Sequence, residues 1–134
     1  MKFQPVCNVI IREWFSKSIL VGKRRGSSYP GFYAQPGGKL ELGETFIECA
    51  IREVKEETDL DIRNIKICSV SEFIDKKHYI LINAICDYTG GQIVNKEPTK
   101  CHKLMWIKWN DLKKYKCCPG LVNLFESGFD PFKV

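Results

Sequence analysis

Residues 38–60 read GKLELGETFIECAIREVKEETDL, and three glutamates in that stretch, Glu53, Glu56 and Glu57, have offsets that matter. Residues separated by three and four positions share one side of a helix. Drawn at about 100° per residue, these carboxylates fall within an arc of about 100°. Like charges so placed repel, by a few tenths of a kcal/mol per pair. A hard divalent cation turns that repulsion into binding, because Mg²⁺ prefers carboxylate, water and phosphate oxygens. An isolated acidic pair on a helix usually faces solvent and does nothing. Here the glutamates come with Arg52, Glu44 and a Gly37-Gly38 entry at fixed offsets, which outweighs the plain surface reading. The chemistry such a set suits is the handling of polyphosphate through metal ions.

A helix must carry these residues, and the run from Thr45 to Thr58 predicts one: it holds no Gly or Pro and many good helix formers. Ile47, Ile51, Val54 and Thr58 fall on one face, with Ala50 at its edge, as a stripe to pack on a sheet. Glu48 and Lys55 fall on a third face, toward solvent. Strands are expected at 5–14 and 18–23, with a short extended piece at 32–35 leading into Pro36-Gly37-Gly38. Further strands are expected at 65–73, 79–87 and 104–109, with turns at 75–77 and 89–91. Asn110 or Asp111 is placed to cap a one-turn helix, and 119–127 reads as a C-terminal helix with Pro119 in its first turn and Gly128 beyond its end. This order gives an α/β fold, a mixed sheet with helices packed on it, in one domain over 1–134.

Composition removes several alternatives. Forty-four per cent hydrophobic and 28% charged residues suit a soluble globular protein. No apolar run approaches the roughly 18 residues of a membrane span. The run at 6–11 is too short for a signal peptide and is followed by Arg12-Glu13, so a cytoplasmic protein is expected. The seven cysteines are odd in number and form no Cys-x-x-Cys, which predicts reduced thiols without disulfides. Zinc on Cys101, His102, Cys117 and Cys118 is disfavoured, since adjacent ligands fit poorly around one tetrahedral ion. His78 and His102 have no partner motif and read as surface or structural residues. The net charge is +5 despite the acidic helix, so cations gather elsewhere, as at Lys23-Arg24-Arg25, Lys76-Lys77 and Lys113-Lys114-Lys116. Such a field would steer a polyphosphate, although a solvated surface explains most of these charges equally well. No dense basic block suggests a stable nucleic-acid partner.

The spacing Gly38-x5-Glu44-x7-Arg52-Glu53-Val54-x-Glu56-Glu57-x-x-Leu60 resembles the Nudix box, the signature of hydrolases that cleave a nucleoside diphosphate linked to another group. GKRRGS (22–27), EPTKC (97–101) and GLVNLFESGFDPF (120–132) extend the resemblance to the type-fifteen nucleotide diphosphatases, a branch close to the MutT-type nucleotide-pool enzymes. The resemblance implies a Nudix α/β/α sandwich with the mixed sheet between helices, a homodimer, dependence on Mg²⁺ with Mn²⁺ as substitute, and hydrolysis of nucleoside triphosphates to monophosphate and pyrophosphate. By the same resemblance Glu53 and Glu57 match metal-holding glutamates, and Glu56 a third carboxylate. Arg52 matches the arginine that orients them, and Glu44 the residue tying loop to helix. Gly37, with Gly38, matches backbone at the metal and phosphates. Lys23 and Arg24 match phosphate-side cations, and Gly120 and Leu121 a segment lining the base pocket.

The chain departs from that pattern within the base pocket that the resemblance implies, at Gln35, where the relatives have an apolar residue, at Cys118, where they have an aromatic, and at Leu81, where they have a threonine, so base preference does not carry over. Phe32, Tyr33 and Trp106 are candidates for the missing aromatic wall. Asp59 stands in place of the glycine that ends the helix in a left-handed conformation, which Asp tolerates better than most residues. Glu53, Glu56 and the loop residue Glu97 are alternative general bases, the plainer reading of Glu97 being a turn residue before Pro98. Competing functions are hydrolysis of a dinucleoside polyphosphate, a nucleotide sugar or a capped RNA end, and a catalytically silent nucleotide-binding module.

Overall fold

The structure is a computed structural model that describes residues 2–134. A long first strand, β1 (Phe3–Glu13), organises the sheet. It is followed by β2 (Ser18–Arg24), β3 (Tyr33–Ala34), β4 (Gly37–Lys39), helix α1 (Phe46–Thr58), β5 (Lys66–Ile74), β6 (His78–Asp87), β7 (Cys101–Lys108), a 3-10 helix (Trp109–Lys114) and helix α2 (Pro119–Glu126). The sheet has seven strands in the order β3-β2-β1-β6-β5, with β4 paired to β1 and β7 to β2. The β1–β6 ladder is parallel and the other pairings are antiparallel.

Strand β1 pairs with β2 only near their hairpin, at Arg12↔Ile19 and Glu13↔Ser18. At its other half β1 pairs with β4, at Val6↔Lys39, Cys7↔Gly38 and Asn8↔Gly37. The sheet therefore divides, and the Gly37-Gly38 segment enters the gap. Alternation along β1 sorts the core into two layers. Val9 and Ile11 pack with Ala50 and Val54 of α1. Ile10 packs with Leu121 and Leu124 of α2, on the opposite face. The result is the α/β/α sandwich expected from the sequence.

Several boundaries differ from the sequence reading. Gly37–Lys39, which the sequence reading assigned to no element, is a strand, because β1 supplies a partner for its backbone. Strand β7 begins at Cys101, earlier than the apolar run at 104–109 suggests, since the ladder with β2 extends to Arg24↔Cys101. Trp109 belongs to the 3-10 helix, whose N-cap is Lys108 with no side-chain cap, so neither Asn110 nor Asp111 caps it. The buried face of α1 is also rotated. Cys49, Ala50, Val54 and Thr58 are buried, whereas Ile51 is 42% exposed. Among the described residues no helix is long and apolar enough to cross a membrane.

Candidate active site

Local chemistry fixes both ends of α1. Thr45 and Glu48 form a capping box: the Thr45 side chain accepts from Glu48 N at 3.1 Å and Glu48 Oε1 accepts from Thr45 N at 2.8 Å. At the other end Asp59 adopts φ 64° and ψ 10°, the left-handed cap expected in place of glycine. Between these ends the row Cys49–Glu53–Glu57 turns toward β4, which explains the rotation. Two helix carboxylates take the inward position that hydrophobicity alone would give to isoleucine.

Glycine makes that approach feasible. A Cβ on Gly38 would lie 2.3 Å from the carboxyl carbon of Glu53, and one on Gly37 would lie 2.2 Å from Cys7 O. Gly37 N donates to Glu57 Oε2 at 2.9 Å. Arg52 then organises the charges. Its guanidinium donates to both oxygens of Glu44, from Nε at 3.0 Å and from Nη2 at 2.7 Å. The same group reaches Glu53 Oε1 at 2.9 Å, both Glu56 oxygens at 3.4 Å and Lys39 O at 3.1 Å. A planar fork suits such simultaneous contacts, where an ammonium would hold fewer of them. Its hydrogen bonds hold the Glu44 carboxyl at about 2.

Glu53 and Glu57 move the other way. Burial raises both above the ordinary carboxylate range, Glu57 to about 8, and the negative charge of Glu97 adds to the shift in each. The one hydrogen bond to the Glu57 carboxylate among the described residues is from Gly37 N. A buried carboxylate without a cationic side chain to pair it is costly. Among the described residues no three side chains form a ready-made metal cage. That arrangement suits Mg²⁺, which is held through one or two carboxylates plus water and substrate oxygens rather than by an all-protein cage. The donor set therefore fits the cation.

These residues line a cleft of about 860 Å³ that also takes in Arg24, Arg25, Lys100, Glu97 and Gln35. One wall is thus acidic and the other basic. Arg24 Nε donates to Ser28 O at 2.9 Å and Arg25 Nη1 to Pro98 O at 3.0 Å, which tethers both side chains to loops. The sequence-predicted Arg52, Glu53, Glu56, Glu57, Gly37, Gly38 and Arg24 are brought together here. Lys23 is not among the lining residues; neighbours on a strand point to opposite faces, and Arg24 takes the cleft side. Gly120 and Leu121 also lie outside it. Leu121 is 1% exposed in the α2-side core, and Gly120 sits over Leu81, which its Cβ would meet at 3.0 Å.

Sequence reasoning named Arg25 only within a basic cluster, did not single out Lys100 and undervalued Glu97. Glu97 does form a turn, its carbonyl accepting from Lys100 N and Cys101 N at 2.9 Å, and the same turn brings it into the cleft. The signal available was the acidic residue in EPTKC. Of the proposed substitutes for an aromatic wall, Trp106 packs on Tyr88 in the α1-side core and Tyr33 lies edge-on to Tyr115. Phe32 instead joins Tyr29 in an aromatic group with Phe73 and Tyr79, none of which the sequence singled out except Phe32.

Known proteins share this architecture. A MutT NUDIX hydrolase from Burkholderia pseudomallei superposes with a TM-score of 0.86 at 22% identity, covering 94% of this chain and 98% of that one. The dihydroneopterin triphosphate pyrophosphohydrolase of E. coli gives 0.76 at 21% identity, covering 95% and 97%. At those identities the likeness is one of fold. In sequence, the uncharacterized Nudix hydrolase YvcI of Bacillus subtilis (strain 168) is 31% identical over 124 residues, 87% of this chain and 73% of that protein. An ADP-ribose pyrophosphatase of Methanocaldococcus jannaschii is 38% identical over 78 residues, 56% of this chain and 46% of its own length. An NAD-capped RNA hydrolase NudC of Pseudomonas entomophila is 33% identical over 82 residues, 61% of this chain but 29% of its own length. The NUDIX domain pattern matches residues 2–125, nearly the whole chain, and with the box-bearing helix in place this chain belongs to the Nudix hydrolase family.

Proposed function

We propose that the protein is a Mg²⁺-dependent hydrolase of nucleoside triphosphates, releasing nucleoside monophosphate and pyrophosphate. One observation carries the reading: a nucleotide-sized cleft sets half-buried Glu57, which no cationic side chain pairs, and its neighbours Glu53 and Glu56 against Arg24, Arg25 and Lys100. A polyphosphate needs opposite signs of grip, metal on one side and side-chain cations on the other. Glu53 and Glu57, with Glu56 and the Gly37 backbone beside them, would hold the cation. When bound, it neutralises phosphate charge and acidifies water.

The protein's own groups supply positioning. Arg52 fixes Glu53 and Glu56 relative to the Glu44 loop, and Gly37 N orients Glu57. Arg24 and Arg25 orient the anhydride chain. Glu53, Glu56 or Glu97 takes the proton of the attacking water, and Glu97 gains weight as a candidate from its place in the cleft. Cleavage between the α and β phosphates follows the family resemblance. The homodimer implied by that resemblance has a candidate surface in the free edge strand β5, where Val70 and Ile74 are exposed.

A second reading keeps the box and changes the leaving group. It is favoured by the names of the relatives, which act on ADP-ribose and on NAD-capped RNA. Product analysis by ³¹P NMR separates the cases. Nucleoside triphosphate with Mg²⁺ is expected to give pyrophosphate and monophosphate as the initial pair. Orthophosphate with nucleoside diphosphate, or turnover of ADP-ribose alone, overturns the first reading. No turnover of any such compound leaves a silent binding module, against which all three helix glutamates argue.

A further inference from the structure

Glu97 reaches the carboxylate cleft from a segment remote in sequence, and the turn that carries it is tied down at both ends. Before Glu97 the chain is bonded to α1. Val94 N donates to Thr58 O at 2.9 Å, and Lys96 N to Glu57 O at 3.3 Å. Those carbonyls belong to the last turn of the helix, which leaves them no intrahelical donor. The residue next to Glu97 is thus fastened to the backbone of Glu57 itself. After Glu97 the chain enters β7, with Cys101 opposite Arg24. There Arg25 N donates to Lys100 O at 2.8 Å, and Arg25 Nη1 to Pro98 O at 3.0 Å.

Asn95 closes this turn from within. Its Oδ1 accepts from Glu97 N at 3.2 Å, the two-residue reach of an Asx turn. Its Nδ2 donates to Cys101 O at 2.9 Å, across the mouth of the turn. One carboxamide therefore joins the start of 95–101 to its end and holds the Glu97 backbone between them. The task needs an acceptor and a donor on two atoms: Asp of the same length has no donor, and Ser has one polar atom only. Within the loop Glu97 O accepts from Lys100 N and Cys101 N, both at 2.9 Å.

The frame decides where a charge sits. The negative charge of Glu97 helps to raise the Glu53 and Glu57 carboxyls, so the three carboxylates are close enough to repel. A loose loop would swing Glu97 away from the other two. Lys100 Nζ, at 3.5 Å, is the one cation that reaches Glu97 among the described residues, and its side chain is 75% exposed. An ion pair so open to water holds weakly. The backbone ties and the Asn95 carboxamide, rather than Lys100, keep Glu97 in place. Asn95 itself is not among the residues lining the cleft.

We propose that Asn95 is a positioning residue, which holds the Glu97 carboxylate beside Glu53 and Glu57 against their repulsion. The assignment rests on the nucleotide-hydrolase reading above. The test compares wild type, Asn95→Ala, Asn95→Ser, Glu97→Gln and the double variant Asn95→Ala/Glu97→Gln. Initial rates are measured on nucleoside triphosphate with Mg²⁺, and thermal melting in EDTA. Glu97→Gln is expected to lower kcat about a hundredfold. Asn95→Ala is expected to lower kcat about tenfold with KM within about twofold, as for a residue that touches no substrate. Asn95→Ser, which keeps an oxygen for Glu97 N, is expected to lose only about threefold. In the double variant kcat is expected within about twofold of Glu97→Gln alone, whereas Asn95→Ala lowers the melting temperature equally in both backgrounds. That contrast separates aiming of Glu97 from general support of the fold. Losses in kcat that multiply, or a wild-type kcat in Glu97→Gln or in Asn95→Ala, overturn the proposal while leaving triphosphate hydrolysis intact. If Asn95→Ala does not fold, Asn95→Ser takes its place in the cycle under the same criteria. If wild type hydrolyses no triphosphate, the functional reading fails separately, and calorimetric titration with Mn²⁺ alone decides. Affinity weakened about threefold by each single substitution and no further by the pair upholds the proposal; unchanged affinity in either, or losses that multiply, overturns it.

Discussion

The two faces of the sheet are assembled from different kinds of sequence. The α1 face draws its chemistry from residues 37–57, a continuous stretch in which a glycine pair, a capped helix and an arginine fork meet locally. The α2 face is built from β1, the run into β4, β5, β6 and α2, segments scattered over most of the chain. Helix α2 has no side-chain cap, and its buried Leu121 and Leu124 pack in the α2-side core. Where chemistry is local, spacing in the sequence reports it; where it depends on strand register, the sequence holds the residues but not their meeting.

The largest effect expected falls on the local face. Glu57→Gln should lower kcat roughly a thousandfold, since one cation-holding charge is lost, while the fold is kept. The same variant tests the electrostatics. The Glu57 carboxyl lies near 4.5 when unfolded and about 8 when folded, so the folded state binds its proton more tightly. Its contribution to stability is complete below 4.5 and is lost as pH rises through about 8. Metal-free wild type should therefore melt roughly 5 °C lower at pH 9 than at pH 5, with Mg²⁺ recovering the loss at high pH. Calorimetry of Glu57→Gln should show the slope greatly reduced. A wild-type rate, or an unchanged slope, removes Glu57 from its assigned role.

A smaller effect tests where the local signal ends. The sequence placed both Lys23 and Arg24 near the phosphates, and the structure puts only Arg24 in the cleft. Arg24→Ala should raise KM about tenfold with a lesser change in kcat, as for a contact made in ground and transition states alike. Lys23→Ala should leave both nearly unchanged. Equal effects from the two would mean that the cleft closes differently around substrate.

How much was legible follows the same division. The helix and the succession of strands and helices could be read from propensity and pattern, and the left-handed Asp59 from the resemblance, whereas the Thr45–Glu48 capping box and the order of strands in the sheet were not read. The β4 strand could not, because Gly37-Gly38 has turn composition and becomes extended only when β1 lies beside it. The resemblance assigned Leu121 to the base pocket from sequence position, and only the packing of α2 shows that it lies in the α2-side core, outside the carboxylate cleft. Glu97 was undervalued because its turn is local but its destination is not.

The smallest effect concerns the face of α1 itself. Hydrophobic periodicity placed Ile51 in the buried stripe, yet it is 42% exposed, while Val54 is fully buried against β1 and β6 residues. The difference arises because Glu53 and Glu57 turn toward the glycine strand and carry Ile51 outward. If that rotation is right, the two apolar positions should respond unequally to substitution. Val54→Ala removes buried methyl groups and should cost about 2 kcal/mol. Ile51→Lys loses a half-exposed side chain but gains a better helix former, so the net change should lie within about 0.5 kcal/mol. Urea titrations of both variants in EDTA measure the contrast directly. A large loss at Ile51 would restore the simple amphipathic helix and would detach the carboxylate row from β4, because one helix cannot bury both faces against the same sheet.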